Sequence, residues 1–408
     1  MEHLDFPHFL GLLFVALGVA KLAGHLAQAV GQPSVLGELL AGVLVGPSVL
    51  GVVDPSNETV HLFGELGVVI LLFSIGLETD LKALLKVGGS SLAVAVVGVV
   101  LPFALGYGLG RGLGLTVPVS VVCGAALTAT SVGITARVLT DLGRLQEPEG
   151  RVILGAAILD DVIGLVILAV VSGLTDGHPV TFWGVARTTL VAFGFLAAAL
   201  VFGRLVVPRL IDLISRVGNP GTPTIVALML AFGLGWLADQ VGSAVIIGAF
   251  AAGLLVVGTE RYHDIEAGVT RLGHLFVPLF FVSVGAAVDV TVLNPLNPEN
   301  HRTLVIAGVL TAAAVVGKFA AGYAPFWFRG RKSVIGAGMV PRGEVGLIFA
   351  RMGHSGGMLD DGLYAALTVV VLVTTFLAPP LLRYLAPPVP GGFVPTDHEG
   401  IEDLATEG

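Results

Sequence analysis

Two adjacent aspartates, Asp160 and Asp161, stand in the apolar stretch Gly-Ala-Ala-Ile-Leu-Asp-Asp-Val-Ile-Gly over residues 155–164. A charge at the centre of a bilayer costs at least about 2.5–3.5 kcal/mol, so two of them need compensation or a purpose. Successive residues on an α-helix point about 100° apart. The two carboxylates therefore have different surroundings: one can face a charged partner while the other faces a water-filled cavity. Lys318 sits inside another apolar run, and Arg342 and Glu344 inside a third. A nearby ammonium favours an ionised carboxylate, whereas burial favours a protonated one. Carboxylate, hydroxyl and carbonyl oxygens suit a hard cation. Asp160, Asp161 and the hydroxyls of Thr130 and Ser131 are thus candidate ligands for a monovalent cation that competes with protons. The residues alone leave two roles open for Glu344, part of the ion site or a cap on a broken helix. Thr130 and Ser131 likewise could bind the ion or bond back to their own helix.

These residues need a membrane around them. Of 408 residues, 55% are hydrophobic and 12% charged, and the mean hydropathy is +0.93. Soluble domains carry about 25% charged residues. The apolar runs are continuous rather than alternating, which favours an all-α polytopic membrane protein over a β-barrel. The net charge of -8 leaves no basic patch for nucleic acid. The ten histidines show no metal-ligand spacing, and the single Cys123 allows no internal disulfide. No nucleophile–base constellation or phosphate loop stands out, so no enzyme and no cofactor is expected. The acidic first residues lack the basic start of a signal peptide.

Thirteen spans are expected, near 6–29, 34–51, 60–77, 88–110, 117–140, 150–173, 181–211, 222–239, 243–258, 271–288, 302–327, 333–352 and 361–385. Alternate loops hold most of the Lys and Arg, among them Lys82, Lys86, Arg137, Arg144 and Arg331. By the positive-inside rule the N-terminus lies outside and the C-terminus in the cytoplasm. Glu38, Glu65, Glu78 and Asp239 fall near span ends, where solvation is cheap. Residues 391–408 read as a short acidic cytoplasmic tail.

The sequence also repeats itself weakly. Residues 72–76 resemble 281–285, residues 37–46 resemble 248–258, and residues 131–134 resemble 344–347, all at offsets of about 210. Partners lie seven spans apart, an odd number, so they run in opposite directions. That is the inverted-topology repeat of secondary transporters. Spans 5 and 12 correspond, and both contain helix-weakening sequence: residues 128–133 in one, and residues 338–344 with Pro341 in the other. Discontinuous helices at equivalent places in two halves point to the binding site.

The segments at residues 37–51, 71–81, 126–143, 155–164, 280–289, 317–318 and 338–346 resemble the monovalent cation:proton antiporter superfamily, in particular bacterial NapA-type sodium/proton antiporters. The likeness covers the whole membrane portion, residues 1–390. It implies a fold of thirteen helices with two crossed discontinuous helices, here spans 5 and 12. It implies a core part, taken as about 60–173 and 271–386, that moves against a dimerisation scaffold of about 6–59 and 222–258. A linker helix over about 181–211 joins them. By the same resemblance Asp161 is the shared carrier of cation and proton, and Asp160 pairs with Lys318; from their place at the break, Arg342, Pro341 and Glu344 are expected to support the crossed helices. An Asp–Lys pair, rather than Asn with Arg, implies electrogenic exchange. A homodimer in a bacterial inner membrane is expected, with sodium as the first cation and potassium as the alternative. A cation channel of similar architecture is the other function that fits.

Overall fold

The structure is a computed structural model and describes residues 6–55, 57–175, 182–215, 221–257, 259–288, 290 and 300–387. Among these the regular structure is helical. The helices are α1 (Phe6–Ala29), α2 (Ser34–Val45), α3 (Glu58–Glu78), α4 (Leu81–Lys86), α5 (Gly88–Gly112), α6 (Val117–Ala126), α7 (Val132–Asp141) and α8 (Pro148–Thr175). They continue with α9 (Phe182–Ser215), α10 (Thr222–Gln240), α11 (Val245–Val256), α12 (Tyr262–Ala286), α13 (Asn300–Ala321), α14 (Lys332–Gly338), α15 (Glu344–Ser355) and α16 (Asp361–Leu385). Seven of them, α1, α3, α5, α10, α12, α13 and α16, are long and apolar enough to cross a membrane. Large apolar side chains point outward on several, such as Phe14 at 81% exposure and Met229 at 66%. In water such a surface would be a liability; against lipid tails it is the expected exterior.

Local sequence sets the helix ends. Asn57 caps α3 by accepting from the Thr59 amide at 3.0 Å, and Asp80 and Asp360 cap α4 and α16 in the same way. Gly31 turns the chain between α1 and α2 at a φ of 75°. Two boundaries differ from expectation in a way that matters. α12 begins at Tyr262, well before residue 271, because its polar first turns continue the helix beyond the apolar stretch. α13 stops at Ala321, so Lys318 lies in its last turn.

The packing forms two groups. α1, α2, α3, α10, α11 and α12 pack on one another, with α3 against both α11 and α12. α5, α6, α8, α13, α14, α15 and α16 form the second group, and α9 touches both. α3 and α12 run against α11 and α2, and glycines explain why. A Cβ on Gly42 would land on the Val282 carbonyl and beside Gly285, and one on Gly253 would land on the Phe73 carbonyl and beside Gly76. Only glycine lets these backbones approach so closely.

Candidate functional site

α8 is an unbroken helix with the Asp160–Asp161 pair at its midpoint. Asp160 is buried at 1% exposure, whereas Asp161 is partly exposed. The helical rotation between neighbours thus gives them the different surroundings that their spacing predicts. Lys318 Nζ donates to Asp160 Oδ2 at 2.7 Å, and its side chain is completely buried. The pair joins α8 to α13 across the second helix group. Gly98 of α5 leaves room beside the ammonium; a Cβ there would stand 3.6 Å from Nζ. The last-turn carbonyls of α13 add a favourable field for the cation. Oδ1 of Asp160 carries no hydrogen bond from the protein. An unpartnered carboxylate oxygen in such a place is held only by the charge opposite it.

The second part of the site is a meeting of two helix interruptions. Residues 127–131 separate α6 from α7, and residues 339–343 separate α14 from α15. Pro341 lacks the backbone donor a continuous helix would need, and Gly343 is extended at φ -128° and ψ -156°. The first interruption donates to carbonyls of the second. The Ser131 amide donates to the Pro341 carbonyl at 2.9 Å. The Thr130 hydroxyl donates to the Met339 carbonyl at 3.4 Å, and the Thr135 hydroxyl to the Gly338 carbonyl at 2.8 Å. Thr130 therefore crosses to the opposite break rather than bonding back along its own helix, as Thr128 does to Ala125.

Arg342 lies between the two parts and is fully buried. Its Nη1 approaches the Met339 and Val340 carbonyls at 3.5 and 3.4 Å, just past the C-terminal end of α14. Its Nη2 donates to the Ala314 carbonyl at 3.3 Å, one turn before Lys318. Thr375 of α16 in turn donates to the Arg342 carbonyl at 2.5 Å. The cationic side chain thus ties the broken helix to the helix that carries Lys318.

Asp160 and Lys318 are brought together, and so are Thr130, Ser131, Pro341 and Arg342. Glu344 opens α15, and its side chain lies outside the described residues, as does the tail 391–408. Among the described residues no three or more His, Cys, Asp or Glu side chains gather as a metal site. Glu38 was misjudged from its place near a span end: it is buried at 3% exposure. Its partners lie about a hundred residues away on α7, beyond the reach of local pattern.

The sequence profile of a family described as sodium/hydrogen exchanger, transmembrane, matches residues 12–386. The chain is 42% identical to the high-affinity Na(+)/H(+) antiporter NhaS3 of Synechocystis sp., over 91% of this chain and 88% of the relative. It is 36% identical to the Na(+)/H(+)-K(+) antiporter GerN of Bacillus cereus, over 93% and 97% of the two chains. The fold matches that of the sodium proton antiporter MjNhaP1 from Methanocaldococcus jannaschii with a TM-score of 0.66 at 17% identity, covering 92% of this chain and 97% of that one. With a buried Asp–Lys pair on helices of this arrangement and a profile match over nearly its whole length, the chain belongs to the sodium/hydrogen exchanger family.

Proposed function

We propose that this chain exchanges sodium for protons across a bacterial inner membrane by alternating access, with Asp161 as the shared carrier. The observation that carries the reading is the division of the aspartate pair: Asp160 is sealed against Lys318, while Asp161 beside it is partly exposed. The only chemistry in such a cycle is proton transfer, and the only ligands are the transported ions. From the outer face Asp161 takes up a proton and releases the cation. The core then moves, the proton leaves inside, and a cytosolic cation binds. Occupancy by either ion neutralises the carboxylate and lowers the barrier to crossing; an empty charged site crosses poorly. Thr130, Ser131, Asp160 and the carbonyls freed at the two breaks complete the oxygen ligands of the cation.

Several observations support the architecture behind this cycle. Leaving out the six-residue α4 and joining the halves of each interrupted span, we read the sixteen helices of the described residues as thirteen spans. The interrupted spans α6–α7 and α14–α15 meet at their breaks as crossed discontinuous helices would. The glycine crossings repeat with the sequence offset: Gly42 meets Gly285, Gly253 meets Gly76, and Gly37 on Ala23 matches Gly248 on Leu234. That supports an inverted repeat. We place α3 and α12 with the scaffold and read α9 as the linker. The scaffold offers the apolar outer faces of α1 and α10 to a second copy or to lipid. The N-terminus is outside, by the distribution of basic residues.

Asp160 and Lys318 make the exchange electrogenic in this reading. If Lys318 gives up its proton and its partner in each cycle, two protons move per sodium. The name of GerN, which includes potassium, keeps that ion as the alternative cargo. Asp161→Asn should abolish sodium-driven proton flux in proteoliposomes followed with a pH dye. Retained flux in that variant would reject Asp161 as the carrier, and current without proton coupling would identify a channel.

A further inference from the structure

A second charged cluster lies away from the aspartate pair, where the first turns of α2 meet the end of α7. Asp141 Oδ2 accepts from the Ser34 amide at 3.0 Å and from the Ser34 hydroxyl at 2.7 Å. Arg137 Nε stands 3.1 Å from Asp141 Oδ1, and its Nη2 donates to the Ser34 hydroxyl at 3.2 Å. Glu38, one turn into α2, has a side chain only 4% exposed, with Oε1 at 4.0 Å from Arg137 Nη2. Its other oxygen, Oε2, is buried with no hydrogen-bond partner.

Two carboxylates here share one guanidinium and one helix N-terminus. With both ionised the cluster holds one negative charge too many for its burial. A proton on Glu38 removes the excess. The surrounding charges do not supply a replacement. Lys21 of α1 acts on Glu38 but is itself exposed. Glu78 of α3 acts on Arg137 and is coupled to Glu266 of α12. Arg383 of α16 packs on Gly31, at the turn before α2.

We propose that Glu38 is a second proton-binding site, separate from Asp160 and Asp161, whose proton sets the strength of a latch between α2 and α7. With Glu38 neutral, Arg137 and Ser34 are left to Asp141 and the latch is closed. With Glu38 ionised, two carboxylates compete for the same guanidinium and repel each other, and the latch loosens. The proposal rests on the exchange reading only for its effect on transport, since α2 belongs to the scaffold and α7 to the core in that reading. A latch between them on the basic-residue face would hold the inner side shut until the cytoplasm becomes alkaline.

The test compares the full-length protein with Glu38→Gln and with Ser34→Ala at matched pH. The first readout is hydrogen–deuterium exchange of the segments over 34–40 and 132–141. The second is proton flux in proteoliposomes. Wild type and Glu38→Gln should coincide at acid pH and separate at alkaline pH, where the wild type exchanges deuterium faster and transports about tenfold faster, within the usual range of coupling between sites. Ser34→Ala keeps every charge and should bring alkaline exchange behaviour to acid pH. Identical exchange in wild type and Glu38→Gln at every pH would overturn the proposal. So would a Ser34→Ala variant with wild-type exchange throughout, which covers the case in which Glu38→Gln fails to fold. Deuterium exchange needs no transport, so failure of the antiport reading would appear in the flux assay alone.

Discussion

A single buried contact, Lys318 Nζ to Asp160 Oδ2, distinguishes the two carboxylates of the pair. Removing one partner from a fully buried ion pair leaves the other charge uncompensated, which typically costs about 3–5 kcal/mol. Lys318→Gln should therefore lower the melting temperature of the detergent-solubilised protein markedly. The double variant Asp160→Asn/Lys318→Gln should recover most of it, because a neutral amide pair fills similar space. If the double variant melts as low as the single one, the pair is not what stabilises this contact. The identity of both residues was legible in the sequence, since ionisable groups inside apolar runs are rare and conspicuous. Glu38 was not legible. Its position two turns from a chain break reads as solvated, and only the docking of α7 on α2 removes it from water. Arg137 read equally well as one more basic residue on the inner face.

Among the helices, the interruptions were visible because Pro341 and the polar run 128–131 cannot continue a helix comfortably. What local sequence could not show is that the two breaks are joined, with Ser131 donating to Pro341 and Thr135 to Gly338. The ends of α12 and α13 were misplaced for the reverse reason: hydropathy marks where lipid contact stops, and helical hydrogen bonding follows other rules. The helix crossings make a direct prediction. Gly253→Val would force α11 away from α3, because a side chain there meets backbone that cannot step aside. It should lose folded protein in a thermal-stability assay. Gly18→Ala on α1, with open space around it, should be neutral or slightly stabilising. Equal behaviour of the two variants would mean that the close approach of α3 and α11 does not hold the scaffold together.

For the molecule as a whole, the proposed competition of two ions for one carboxylate would fix the pH response. Below the carrier's titration, each unit fall in pH should raise the sodium concentration for half-maximal flux about tenfold, as expected for one proton displacing one cation. Flux with constant apparent affinity across that range would exclude simple competition. In the proposed electrogenic cycle, a net movement of one charge would make the exchange respond to voltage by about 2.3 kcal/mol per 100 mV. Sodium-driven flux that ignores an imposed potassium-diffusion potential would reject the electrogenic cycle. The Ser34–Asp141–Arg137–Glu38 cluster adds a further consequence. On the repeat proposed above, Ser34 and Glu38 fall on Val245 and Ala249, and Arg137 and Asp141 fall on Ala350 and His354, which supply neither carboxylate nor guanidinium. The two halves trade places geometrically during the cycle but not energetically. Such a carrier has a resting state. Its half-saturation for sodium should differ between right-side-out and inside-out vesicles, while the gradient at which net flux stops stays the same from either side.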